Sequence, residues 1–176
     1  HPQEIGGGGV PFMPFVYLNE VIGRSHWGQV AVGSLSMQDS IMLHLYGTAE
    51  QKRRWLEPLV AGDIYPSVGL TEPEVAGSDP TLMQSTARLD GDHWVVNGQK
   101  IWTSNAQEAD WMFALVRTEP DAPKHDGITY MLIDMRSPGI DVRPLRQMTG
   151  EADFHEVFLE NVRVPRDSIV GERGKG

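Results

Sequence analysis

The sequence predicts an α+β chain: a helical segment first, then an antiparallel β-barrel or sandwich. Three observations carry this expectation. No proline interrupts the stretch between Pro14 and His44, where apolar residues recur at helical spacing. After residue 63, short runs rich in Val, Ile, Trp, Phe and Tyr alternate with turn signals. The two patterns follow one another instead of interleaving, so a parallel βαβ sheet is not expected.

The helical periodicity runs through Val16, Leu18, Val21 and Ile22, then Val30, Val32, Leu35, Met37, Ile41 and Leu45, with Gly23 and Gly28 marking a break. Thr48-Ala49-Glu50-Gln51 has the form of a capping box. Pro58 is expected to stop the helix that starts there, and Gly62-Asp63 to close the helical region. Strands are expected near 66–70, 84–89, 93–97, 99–104, 111–117, 128–134, 141–145 and 155–162. Asp90-Gly91 and Asn97-Gly98 are two-residue hairpin signals, because both turn positions need positive φ. The expected division is residues 1–62 as the remnant of a helical domain, 63–165 as a β-domain and 166–176 as a linker toward a further helical domain. His1 at one end and the Gly-rich 171–176 at the other read as cut or processed ends, so the lack of a targeting signal carries no weight.

With 40% hydrophobic residues the 176-residue chain can build a core. Its net charge of −9 and longest basic cluster, Lys52-Arg53-Arg54, argue against a nucleic-acid groove; that cluster reads as a solvated helix face. Apolar runs such as Trp111 to Val116 are too short to span a bilayer. The absence of cysteine excludes disulfides, thiolate nucleophiles and Cys-ligated metals. Six scattered histidines without ligand spacing lead us to expect no metal site. The glycines at 6–9 lack the strand-to-helix context of a dinucleotide fingerprint, and 171–176 lacks the spacing and the Ser/Thr of a P-loop. Asp110 and Asp126 read as loop carboxylates.

Two segments can carry chemistry. In Val68-Gly69-Leu70-Thr71-Glu72-Pro73-Glu74-Val75-Ala76-Gly77-Ser78-Asp79, a short strand enters a loop with two hydroxyls and several backbone N–H groups. Such a loop can bind an anion without Lys or Arg; the same residues also suit an ordinary polar turn. In the second segment, Val95 to Asn105, period-two alternation puts Lys100, Trp102 and Ser104 on one face and Ile101 and Thr103 on the other. An indole and a hydroxyl on one face can cover a flat ring and bond its edge; a core tryptophan with a solvated serine gives the same pattern.

Taken together, T-E-P…G-S-D at 71–79 and N-G-Q-K-I-W-T-S-N at 97–105 resemble the acyl-CoA dehydrogenase family. Tyr46-Gly47-Thr48-Ala49-Glu50-Gln51-Lys52, Leu56 to Gly62, Val162-Arg163-Val164-Pro165 and the 171–176 run add to the likeness along almost the whole chain. The resemblance implies the family's middle β-domain with FAD as cofactor. It implies that Val68, Gly69, Leu70 and Thr71 lie along the flavin, that Gly77 and Ser78 meet the pyrophosphate, that Ser78 also lies near the acyl-CoA, that Trp102 and Thr103 contact the cofactor and that Ser104 bonds near N5. The implied reaction is α,β-dehydrogenation of an acyl-CoA thioester, with a glutamate base expected beyond Gly176 and electrons passed to an electron-transferring flavoprotein. Glu72 is expected to serve structure or cofactor positioning, not proton transfer. The resemblance further implies a dimer or tetramer, with no nucleic acid or membrane span, in the cytoplasm of a bacterium or the matrix of a mitochondrion. The T-E-P-E-V-A-G-S-D loop is one residue longer than the family's usual form, and Ser104 stands where many members have Thr. An oxidase or monooxygenase on the same scaffold, and a non-catalytic cofactor-binding fragment, are the alternatives.

Overall fold

The computed structural model describes residues 2–25, 27–31, 37–77, 79–123 and 125–176, the side chains of Gln29 and Val30 excepted. It divides into two compact units, His1–Tyr65 and Pro66–Gly176.

The first unit is helical: α1 (Phe12–Ile22), α2 (Gly28–Ala31), α3 (Met37–Tyr46), α4 (Ala49–Gln51) and α5 (Glu57–Ala61). The break between α1 and α2 falls between the two predicted glycines. Val32 and Leu35, part of the predicted periodicity, lie outside the described residues. The capping box forms: the Gln51 N–H donates to Thr48 Oγ1 at 3.2 Å and the Thr48 N–H to Gln51 Oε1 at 3.0 Å. Pro58 does not stop the helix as expected. A π-helical turn, Lys52–Leu56, precedes it, and Pro58 becomes the second residue of α5. Its missing N–H and bulky ring would disrupt a regular helix, and the widened turn directly before it accommodates both. The helix ends at Gly62 (φ 83), where the Asp63 N–H donates to Pro58 O at 2.9 Å and the Gly62 N–H to Leu59 O at 3.3 Å. That double bond pattern requires the left-handed conformation that glycine supplies.

The second unit is a sheet of eight strands: β1 (Pro66–Gly69), β2 (Thr86–Asp90), β3 (His93–Ser104), β4 (Trp111–Arg117), β5 (Ile128–Asp134), β6 (Ile140–Leu145), β7 (Phe154–Pro165) and β8 (Ile169–Val170). The order is β6-β7-β3-β2-β4-β5-β8, with β1 paired to β4. Most ladders are antiparallel, but β1 runs parallel to β4 from Pro66↔Trp111 to Gly69↔Ala114, and β2 meets β4 in parallel at Thr86↔Arg117. The expected antiparallel sheet is therefore mixed. β1 reaches β4 across the intervening β2–β3 hairpin, and a crossover of that length permits parallel pairing.

The Asp90-Gly91 hairpin forms one residue later than expected: Asp90 is still in the strand, paired with His93, so the two-residue loop is Gly91-Asp92, and only Gly91 (φ 63) takes positive φ. Asn97-Gly98 is not a hairpin, and the two strands expected on either side of it are one. β3 runs straight through, with a register shift between Val96↔Val162 and Gly98↔Leu159. Asn97 Oδ1 accepts the Asn161 N–H at 2.8 Å, so the asparagine anchors a bulge on β7. Gly98 (φ 154) is needed for close approach: a Cβ there would stand 2.2 Å from Ser85 Oγ and 2.7 Å from Ser85 Cα.

Trp94, Val96, Met112, Ala114, Val116, Met131, Ile133, Val157 and Val162 form one buried cluster from β3, β4, β5 and β7. Strands this far apart in the sheet order share one core only if the sheet curls on itself. Phe113 and Leu132 on the opposite face are equally buried, so β4 and β5 are covered on both sides. This explains their largely apolar sequences.

Gly98→Ala should lower the urea midpoint more than Gly91→Ala does. At Gly91 nothing lies within 4 Å of an added Cβ, so backbone strain of about 1–2 kcal/mol is the whole effect there. Equal losses in the two variants would show that the packing against Ser85 is loose.

Candidate functional site

β1 and the end of β3 are stitched together. The Ile101 N–H donates to Thr71 O at 2.9 Å, and the Ser67 hydroxyl donates to Ser104 O at 2.8 Å. Residues 67–71 therefore run alongside 101–104. Gly69 permits this contact: a Cβ would meet Met112 Sδ at 2.7 Å and Lys100 Cγ at 3.3 Å. Since position 69 faces inward, Val68 and Leu70 face out, each 36% exposed.

The predicted alternation in β3 breaks at this point. Lys100 pairs with Val157 and Thr103 with His155, so three steps on β3 match two on β7. The extra residue forms a bulge, and Trp102 takes φ 58. Lys100 consequently does not share a face with Trp102 and Ser104. Lys100 and Thr103 point into the core with no exposed surface, while Trp102 (58% exposed) and Ser104 point out. Positive φ on a bulky residue costs on the order of 1–3 kcal/mol, and such strain gathers at functional sites. Trp102 is held edge-to-face against Phe154, with ring centroids 6.1 Å apart. Val68, Leu70, Trp102 and Ser104 thus make an outward ledge along the seam of β1 and β3, three apolar side chains beside one hydroxyl.

Beneath the ledge lies an ion pair that no local sequence signal announces. Lys100 Nζ is 2.8 Å from Glu72 Oε1 and also donates to Leu115 O at 2.7 Å and Leu70 O at 3.4 Å. Glu72 accepts the Gln84 N–H on Oε2 at 2.6 Å and the Ser85 N–H on Oε1 at 2.9 Å. Lys100 has no exposed surface and Glu72 is 6% exposed. Burial lowers the Lys100 ammonium below its ordinary value. For Glu72 burial pulls upward, but the hydrogen bonds it accepts and the Lys100 charge together outweigh it and hold the carboxyl below 4.5. Both Glu72 oxygens are engaged, which agrees with the structural role expected for it.

The loop after Glu72 folds back over Thr71, since a Cβ on Gly77 would lie 3.0 Å from Thr71 Cγ2. Asp79 Oδ1 then accepts the Thr81 N–H at 3.0 Å to start the 3₁₀ turn Pro80–Leu82. Ser78, expected to touch cofactor and substrate, lies outside the described residues. Thr103 turns its side chain away from the ledge; its hydroxyl and Nδ1 of the facing His155 are buried without hydrogen bonds. Asp110 and Asp126 are ion-paired with Arg136 and Lys175. Among the described residues, no group of three or more His, Asp or Glu is placed to hold a metal ion, and no helix is long and apolar enough to cross a membrane.

Two family models match the chain: acyl-CoA dehydrogenase, N-terminal domain, over residues 1–63, and acyl-CoA dehydrogenase, middle domain, over 67–162. The acyl-CoA dehydrogenase IpdE1 of Mycobacterium tuberculosis is 38% identical over 182 residues, covering 99% of this chain and 45% of that protein. The crystal structure of an acyl-CoA dehydrogenase from Geobacillus kaustophilus has a TM-score of 0.86 at 32% identity, covering 99% of this chain and 46% of that one. A glutaryl-CoA dehydrogenase from Mycobacterium smegmatis, crystallised in complex with FADH2, has a TM-score of 0.67 at 33% identity, covering 77% of this chain and 34% of that one. The chain therefore spans less than half the length of these relatives.

Removing one partner of the buried pair should be severe. Lys100→Met leaves the Glu72 carboxylate buried without its counter-ion and should cost about 3–5 kcal/mol in urea unfolding. The pH dependence has a fixed sign. With its folded-state value below 4.5, Glu72 contributes stability above its unfolded value and loses it as pH falls through the folded one. Acid unfolding followed by tryptophan fluorescence should be less steep in Glu72→Gln than in the wild type. An identical acid limb would show that the charged carboxylate adds nothing.

Proposed function

The chain belongs to the acyl-CoA dehydrogenase family, and from that membership we propose that it carries the flavin platform of an enzyme that desaturates acyl-CoA thioesters at the α,β position. FAD, when bound, supplies the hydride acceptor at its N5 nitrogen. The observation that carries the proposal is the strained bulge that turns Trp102 and Ser104 outward together beside Val68 and Leu70. A flat aromatic ring system with a polar edge fits such a surface. Val68, Leu70 and Trp102 offer apolar contact area, and the Ser104 hydroxyl and Thr71 offer hydrogen bonds at the margin. The loop that brings Gly77 against Thr71 offers backbone N–H groups suited to a pyrophosphate, with Ser78 next in the chain.

Glu72 is assigned no proton transfer, because Lys100 and two backbone N–H groups occupy its oxygens. The α-proton of the substrate is accepted by another residue. For the whole protein we propose an acyl-CoA substrate, assembly into a dimer or tetramer and reoxidation by an electron-transferring flavoprotein.

The visible absorption of the full-length protein titrated with FAD tests the platform. Trp102→Ala should weaken binding about three- to tenfold through loss of aromatic contact, and Ser104→Ala should shift the flavin band with a smaller loss of affinity. Unchanged affinity and spectrum in the Trp102→Ala, Ser104→Ala double variant would move the flavin elsewhere.

A further inference from the structure

We infer that the buried Lys100–Glu72 pair is a strut that sets the two halves of the ledge against each other, making Lys100 a positioning residue for the flavin; this rests on the platform proposed above. The argument begins with covalent adjacency. One backbone hydrogen bond, Ile101 N–H to Thr71 O at 2.9 Å, joins the half of the ledge that carries Leu70 to the half that carries Trp102. Lys100 directly precedes its donor residue, and Glu72 directly follows its acceptor residue. The ion pair, 2.8 Å long, therefore brackets that bond and locks it from behind.

The second part is saturation. An ammonium has three N–H donors, and Lys100 places them on Glu72 Oε1, Leu115 O and Leu70 O. Glu72 answers with the Gln84 and Ser85 N–H groups. Together the two side chains fix the 70–72 segment, β3, β4 and the 84–85 segment at a single point. Apolar residues of similar volume could fill the space, often with equal or greater stability, but they could not direct five bonds. Geometry is thus what the charges add here. Trp102, two residues from Lys100 and at φ 58, is the side chain whose aim depends most on it.

The experiment uses the full-length protein as wild type, Glu72→Gln, Lys100→Met, and the double variant Lys100→Met with Glu72→Leu. Two readouts are taken: FAD affinity from absorbance titration, and amide hydrogen exchange at Ile101 relative to Met135, whose N–H bonds Asp110 O at 3.0 Å away from the pair. The double variant orphans no charge, so its urea midpoint should return toward wild type. Its Ile101 amide should nevertheless exchange faster relative to Met135, and FAD should bind about tenfold more weakly. Glu72→Gln, the closest in shape, leaves the Lys100 ammonium without its counter-ion but keeps a side-chain oxygen for a backbone N–H; it should shift both readouts in the same direction, and it serves if the others fail to fold. Wild-type exchange at Ile101 in the double variant, or in Glu72→Gln should the double variant not fold, overturns the strut. Loss of protection at Ile101 with unchanged FAD affinity leaves the strut standing and removes the flavin from the ledge instead.

Discussion

An ammonium group with no exposed surface has to find an anion, and in this chain it finds one 28 residues earlier in the sequence. Burying two charges is unfavourable unless each remaining donor and acceptor is also met. The Lys100–Glu72 pair meets that condition by drawing three backbone segments around itself: the exit of β1, the stretch before β2 and the end of β4. Much of the arrangement on the surface follows from this. Gly69 packs on Met112 Sδ first and on the Lys100 stem next, so a Cβ there would crowd both. Position 69 therefore faces in, and its neighbours Val68 and Leu70 face out.

The bulge in β3 is the second constraint, and it answers the first. A regular strand with Lys100 pointing inward would also have Trp102 and Ser104 inward, among Met112, Val157 and the other apolar side chains of a full core. One additional residue reverses the parity, so the lysine stays buried while the indole emerges. The strain of a tryptophan at positive φ is borne locally, with the ring held at the surface by Phe154. The membership of the chain in the acyl-CoA dehydrogenase family accords with a surface of this kind, since a flavin needs an apolar seat with a few oriented polar groups.

Much of the fold was legible in the sequence. The helix-to-strand change near residue 63 and the Thr48 capping box rest on local chemistry and appear as read, and the hairpin read at Asp90-Gly91 appears one residue later. What failed to read through depended on tertiary context. Asn97-Gly98 carries hairpin chemistry, yet Ser85 and Asn161, both distant in sequence, use it for close packing and a bulge. Pro58 carries a stop signal that a preceding π-turn absorbs. The parallel pairing of β1 with β4 has no local signature. At the site, Trp102 and Ser104 were legible as partners, but Lys100 was misplaced, because alternation is reliable only until a bulge interrupts it. Glu72, expected to serve structure or cofactor positioning, sits buried with both oxygens bonded, and its counter-ion could not be found by scanning neighbouring residues.

The parity change in β3 also bears on how this strand can vary over evolutionary time. A strand of unbroken alternation tolerates an insertion or deletion poorly everywhere, because each inverts all that follows. Here the inversion is already built in at Ile101-Trp102. Loss of one residue there would make the ladder with β7 regular, two steps against two, while Thr103 stayed opposite His155 in the core and Ser104 stayed at the surface. The one residue left between Lys100 and Thr103 would still face out: tryptophan if Ile101 were lost, isoleucine if Trp102 were lost. The bulge is thus the one point in β3 where a residue can be removed without inverting the strand that follows, and the side chain lost there decides what the surface presents.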